Sequence, residues 1–425
     1  MDRRTFLTAT AAAATAPLGG AAQAATKDPP PPKVSERLNK LGAAAAAARM
    51  PLIFDGLHFS GAGFDWLLKR GAEAHAFLIG EEHGIAENPK LAAQLFAALA
   101  PRGYRHVVVE VSAPMAEALD TALANGKSAF ERLLTDPESR VPFFGLREEA
   151  QWLIDARAAA PAGRPFLWGL DYDVVADRYL LRQLAKRPKP RAAATALNKL
   201  AAASTASWAK YAETKNPQFV FSFNGDPALV EAVESAWPGA DAKSKLILST
   251  LRETLATNQL WATGKGYESN LRRSRLMRAN LLRYWRNKRG RDPTGRLFMK
   301  MGASHMVRGI SMSDVFDIGT VVPELVGEEG GGAFHLLVLP GPQSQTANLD
   351  PTRFVYVPGN RNEYGEGTEI FDKAILPDTF TLFDTAPLRP IASSSGGDVP
   401  LPLWRVIHGF DAVLVMTGSK PSMNL

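Results

Sequence analysis

The chain has 425 residues, with 49 Lys and Arg against 43 Asp and Glu, for a formal charge of +6. That excess is too small for this length to point to nucleic acid, and no nucleic-acid partner is expected. The absence of cysteine excludes disulfides, thiolate metal sites, iron–sulfur clusters and a cysteine nucleophile together.

The chain opens with Asp2-Arg3-Arg4-Thr5-Phe6-Leu7, and an Ala-rich stretch follows that ends in Ala22-Gln23-Ala24. Paired arginines before Phe-Leu, with a small-x-small cleavage site, read as a twin-arginine signal over residues 1–25. The twin-arginine export machinery is then an expected partner, and the periplasm or the medium the expected location. Four prolines between Lys27 and Lys33 predict a linker over 26–50, with a helix start or spacer in Ala43–Ala48. No later run reaches the roughly 18 apolar residues of a membrane span, so an integral membrane protein is not expected.

Residues 51–175 are predicted to form the first half of an α/β core. Apolar runs at Ala76–Gly80, Arg105–Val111 and Phe166–Leu170 alternate with helical patterns near Pro89–Ala100, Met115–Leu123 and Phe144–Ala159. Strands alternating with helices of that length predict parallel βαβ units and a central, mainly parallel sheet flanked by helices. Residues 176–290 read as a helical insertion or cap; Asp226-Pro227 inside it is an N-cap followed by proline at the first helical position. Strand patterns resume over 291–340 at Arg296–Met301 and Phe334–Leu339. Residues 341–425 read as an irregular segment with one strand near Phe354–Val357 and a last strand at Ala412–Met416.

Four of the core runs end on ionisable residues: Glu81-Glu82-His83, Glu110, Asp171 and His305. In a parallel sheet the carboxyl ends of the strands share one edge, where ligands bind, so these groups are expected to meet. Strand alternation cannot send adjacent Glu81 and Glu82 the same way; one faces the cleft. Glu87 opens the next helix and either orients His83 or complements the helix terminus. A carboxylate emerging from a buried strand, as at Glu110, is costly unless paired or used. No Gly-x-Ser-x-Gly nucleophile elbow exists, which disfavours a serine hydrolase. Two histidines and two or three carboxylates suffice to activate water directly or to hold a divalent metal through His83, Glu110 and His305. The helix from Tyr267 to Arg289 is strongly basic, and one or two of its arginines can point into the cleft as carboxylate clamps.

The ordered blocks Gly80-Glu81, His83-Gly84 and Glu87, then Glu110, Gly169-Leu170-Asp171, Arg273 with Met277 and Asn280, and His305 resemble the erythromycin esterase-like family. That family lies within a wider set of ChaN-like haem-binding and TraB/Tiki-type proteins. The resemblance implies an α/β hydrolase that activates water with a histidine and a glutamate and without a cofactor. It makes His83 the general base, Glu110 its partner or a second acid–base group, and Glu81 and His305 further catalytic residues. Glu82, Glu87, Asp171, Arg273 and Asn280 would then bind a small-molecule substrate carrying an ester, lactone or related bond. Haem or a divalent metal is the alternative the wider set implies, as is a Tiki-type metal-dependent peptidase. Two departures stand out: one residue fewer separates Glu81 from His83, and Gly302 occupies the place of a first late histidine.

Overall fold

The computed structural model describes residues 36–161, 165–362, 364–393 and 398–425. The expected signal peptide and the proline run lie outside these residues. The chain is α/β. Its strands are β1 (Arg49–Phe54), β2 (Phe59–Ser60), β3 (Ala76–Glu81), β4 (Tyr104–Ser112), β5 (Leu167–Asp171), β6 (Arg296–Gly302), β7 (Ala333–Pro340), β8 (Gln345–Asp350), β9 (Val355–Asn360), β10 (Phe380–Asp384) and β11 (Ala412–Met416).

Nine strands form one sheet in the order β2-β1-β10-β11-β7-β3-β6-β4-β5, and β8 pairs with β9 apart from it. From β11 through β5 every neighbouring pair is parallel. The β1–β10 and β10–β11 pairs are antiparallel. The parallel part therefore turns all its carboxyl ends to one edge.

Both faces of this sheet are covered, as parallel sheets require. Side chains alternate along β3: Phe77 and Ile79 enter one apolar cluster, Ala76 and Leu78 the other. Phe298 of β6 stacks on Phe77 with ring centroids 5.5 Å apart. This period of two fixes which face each strand-end residue inherits.

Between β5 and β6, the described elements from Asp177 to Arg291 are all helical. The Gly266–Arg291 helix places Arg273, Met277, Asn280, Leu281 and Tyr284 on its buried side. Its outward basic residues meet acids: Arg272 pairs with Glu253, and Arg289 with Glu328 and Glu329. No helix among the described residues is long and apolar enough to cross a membrane.

Two segments depart from expectation. Residues 36–47 form a helix and 49–54 a strand of the main sheet, where a linker was expected as far as residue 50. Leu41 and Ala45, one helical turn apart, are wholly buried, and that stripe anchors the segment. Beyond residue 341 the strand expected near Phe354–Val357 is present as β9, while β8, which pairs with it, and β10, which joins the main sheet, were not expected. Pro358 and Gly359 sit inside β9, in a two-stranded ribbon where every strand is an edge.

Candidate active site

The strand ends meet as the topology dictates. Glu81 of β3 is in register with Gly302 of β6, and Ser112 of β4 with Asp171 of β5. A register shift between Val109 and Ser112 is the kind of irregularity that re-aims a side chain at a sheet rim, and it carries Glu110. Over this edge lies a cleft of 610 Å³, lined on its floor by Glu81, His83, Glu110, Arg273, Gly302 and His305.

His83 is held from three directions. Its Nδ1 lies 2.9 Å from Glu81 Oε1, and its ring stacks on Phe143 at 3.8 Å between centroids. Its Nε2 has no hydrogen-bond partner among the described residues; Glu110 Oε2 is 3.5 Å away. With Glu81 accepting at Nδ1, the tautomer that carries its proton there has a lone pair at Nε2. Phe143 holds φ 65°, a left-handed conformation rare for a bulky residue, and its N–H donates to the Tyr356 hydroxyl at 2.7 Å. The turn itself needs Gly84: its φ is +88°, and a Cβ would meet the Ala347 carbonyl oxygen at 2.5 Å.

Glu81 is the inward member of the adjacent pair, 4% exposed. Burial would push its carboxyl up, yet the Lys300 ammonium and the bond from His83 hold it below the usual range. Glu82 accepts a hydrogen bond from the Asn362 side-chain amide at the cleft wall, and burial pushes its carboxyl up.

Glu110 accepts from Arg273 Nη2 at 2.7 Å through Oε1 and from the Gly302 N–H at 2.8 Å through Oε2. Arg273 also grips Asp171 through Nε at 2.8 Å and Nη2 at 2.5 Å. One planar guanidinium thus ties the ends of β4 and β5 to the helical insertion, a bidentate role that lysine cannot fill. Burial opposes charging of His305, but Asp317, with Oδ2 2.7 Å from Nδ1, and Glu110 raise its imidazole to about 9. His305 is therefore an imidazolium at neutral pH, with Nε2 3.5 Å from Glu110 Oε1.

Three of the sequence-predicted residues lie outside the cleft lining. Asp171 sits behind Arg273. Asn280 donates its amide to the Leu170 carbonyl at 2.8 Å, fastening the long helix to β5. Glu87 accepts from the Lys420 N–H. Sequence reasoning did not find Lys300, Glu149, Asp317, Phe143 or the pairing of the expected strand near Phe354–Val357 with β8, which brings Ala347, Asn348, Leu349 and Tyr356 to the cleft lining. One signal was available: Lys300 is the lone charge within the apolar run Leu297–Met301.

Among the described residues, no group of three or more His, Asp or Glu is arranged to hold a metal ion. The donor chemistry explains this. Both oxygens of Glu110 already accept hydrogen bonds, and a guanidinium and an imidazolium occupy the surroundings where a cation would bind.

No family model and no curated protein matches the sequence. Solved structures do share its fold. A mutant of the erythromycin esterase EreC in its open conformation superposes with a TM-score of 0.58 at 17% identity, covering 89% of this chain and 99% of that one. A Bacillus cereus protein gives 0.56 at 16% identity, covering 91% and 99%. A succinoglycan biosynthesis protein gives 0.56 at 12%, covering 91% and 98%. The fold is accordingly the one the ordered strand-end motifs implied.

Proposed function

We propose that this cleft hydrolyses an ester, lactone or related acyl bond through water activated by His83. The observation that carries this reading is the imidazole itself, fixed at Nδ1 by Glu81 with Nε2 an unsatisfied acceptor at the cleft floor. A water bound there gives its proton to Nε2 as its oxygen attacks the carbonyl carbon. The resulting imidazolium is stabilised by Glu81 on one side and Glu110 on the other. The oxyanion that forms meets the positive charge of His305, a preorganised donor in a buried site. When the tetrahedral adduct collapses, the carbon–oxygen bond breaks and His83 returns its proton to the departing alkoxide. The fold shared with an erythromycin esterase is compatible with this chemistry.

The lining also bears on substrate charge. Glu82 and Asp314 face the cleft, while Arg273 is engaged by two carboxylates. A neutral or cationic ester is favoured over an anionic one. The paired arginines at Arg3 and Arg4 support export as the setting; a reporter fused to residues 1–30 and followed to the periplasm tests that. For the chemistry, a panel of neutral, cationic and anionic esters assayed with and without chelator is decisive. Chelator-insensitive hydrolysis that His83→Ala abolishes is expected; no turnover of any ester would sink the proposal.

A further inference from the structure

Behind His83, away from the cleft, lies a group that the hydrolytic step does not use. Lys300 Nζ is 2.7 Å from Glu81 Oε1 and 2.7 Å from Glu149 Oε1. All three side chains are 3% exposed. The Asn88 amide donates to the other Glu81 oxygen. Lys300 and Glu81 share a sheet face by strand parity, on adjacent strands in the parallel register; Glu149 descends on them from the first turn of the Arg147–Ala159 helix.

Two carboxylates around one ammonium leave an excess negative charge, which a buried site disfavours. A proton on Glu149 resolves the excess: burial pushes this carboxyl up to about 7, the Lys300 ammonium opposing and Glu81 adding to the rise. The charged and titratable groups facing Glu149 are Lys300 from β6, Glu81 from β3, His83 from the turn beyond it and Tyr356 from β9. Among these, Glu81 alone contacts both the ammonium and the imidazole.

We propose that Lys300 and Glu149 are positioning residues for His83: the ammonium divides itself between Glu81 and Glu149, so the proton on Glu149 decides how much negative charge Glu81 presents to the imidazole. With Glu149 neutral, Lys300 pairs with Glu81 alone and screens it. With Glu149 ionised, the ammonium is shared, Glu81 faces His83 with more of its charge, and the imidazole takes a proton from water more readily. Activity then rises through neutral pH for a reason outside the cleft. The functional half of this proposal rests on the hydrolytic reading above; the coupling between Glu149 and the His83 ring does not.

The test uses full-length protein and two readouts. Ester turnover followed from about pH 6 to about pH 8.5 should show a rise near neutrality in wild type. Glu149→Gln keeps an acceptor for Lys300 but cannot ionise; it should lose that rise and turn over three- to tenfold more slowly above pH 7.5, with an unchanged melting temperature. Independently of turnover, the ¹⁵N shifts of the His83 ring in histidine-labelled protein should carry an inflection near pH 7 that Glu149→Gln removes. Lys300→Met alone strands two carboxylates and risks unfolding, so Lys300→Met with Glu149→Met serves as the second variant; it too should lack the neutral step in both readouts. A neutral rise and a ring inflection that survive in both variants overturn the proposal. Loss of the ring inflection in a protein that hydrolyses no ester supports the coupling and fells the hydrolytic reading instead.

Discussion

Glu110 and Arg273, 163 positions apart in the sequence, meet at 2.7 Å in the floor of the cleft. The same guanidinium holds Asp171, 102 positions away, through two bonds. Removing one member of a buried ion pair leaves the others unpaired, at a cost of about 3–5 kcal/mol. Arg273→Met is therefore expected to lower the unfolding free energy by roughly that amount, and Arg273→Lys by less, since charge is kept and the fork is lost. Urea unfolding measures both; a loss below about 1 kcal/mol for the methionine variant would mean the clamp is not structural.

His83 touches the fold lightly compared with its neighbours, its side chain being 16% exposed against 3% for Glu81. His83→Ala should lower turnover by about a thousandfold or more, within the usual contribution of a positioned base and the order it imposes on water. The melting temperature should stay within about 3 °C. Parallel loss of fold and activity would count against a catalytic part for this ring.

Gly302 has no room for a side chain. A Cβ there would lie 3.0 Å from His83 Nε2 and 3.2 Å from Glu110 Oε2. Gly302→Ala should displace the imidazole or the bound water by a few tenths of an ångström and cut turnover on the order of tenfold to a hundredfold. Calorimetry alongside the assay should show the melting temperature little changed. Full activity in this variant would show that the attacking water lies elsewhere.

His305 links stability to pH. Its folded-state affinity for a proton is raised to about 9 from an ordinary 6.5, burial opposing and Asp317 with Glu110 favouring the charge. A group raised on folding contributes stability that is complete below about pH 6.5 and is lost as the pH rises through about 9. At roughly 1.4 kcal/mol per tenfold change in affinity, the contribution is on the order of 3 kcal/mol. Thermal unfolding between about pH 6 and pH 10 should show this decline, and Asp317→Asn should flatten it. An Asp317→Asn curve that falls as steeply as wild type would refute the assignment.

The last five residues stitch the site together. Pro421 bridges to Ile85 and Asn424 to Leu146. The Ser422 N–H donates to the Gly84 carbonyl at 2.9 Å, and the Arg147 N–H to that of Met423 at 2.7 Å. Asn424 exchanges two bonds with the Tyr356 backbone. Deleting Pro421–Leu425 should loosen the His83 turn and the Phe143 loop together, lowering turnover about tenfold. Hydrogen exchange should rise at Gly84–Glu87 and Gly145–Arg147 while the central strands stay protected. Unaltered exchange in those two loops would refute the strapping role.

Much of this arrangement was legible before any fold was known. Apolar runs ending in Glu81, Glu110 and Asp171 carry both the strand period and the point where it stops, and parallel crossovers leave one edge at which the ends can gather. The buried stripe of the Gly266–Arg291 helix follows from its 3.6-residue spacing, and that stripe contains Arg273. By contrast, Glu149 reads as one of two acids in a helix's first turn, where a carboxylate is favourable without a partner. Glu148 and Glu149 differ in burial because of how that helix packs in the fold, which adjacent letters do not encode.

The sequence alone determined the local periods: which runs are strands, where each ends in an acid or a histidine, and which helix face is apolar. Those depend on interactions within a few residues and on the alternation of side chains along one strand. Tertiary structure decided which Glu110 oxygen meets Arg273, that Lys300 lies between two carboxylates, that Asp317 holds His305, and that the β8–β9 ribbon walls the cleft. Each of these rests on a contact across many residues of chain, fixed by strand register and helix docking, and a buried charge finds its partner only once those are set.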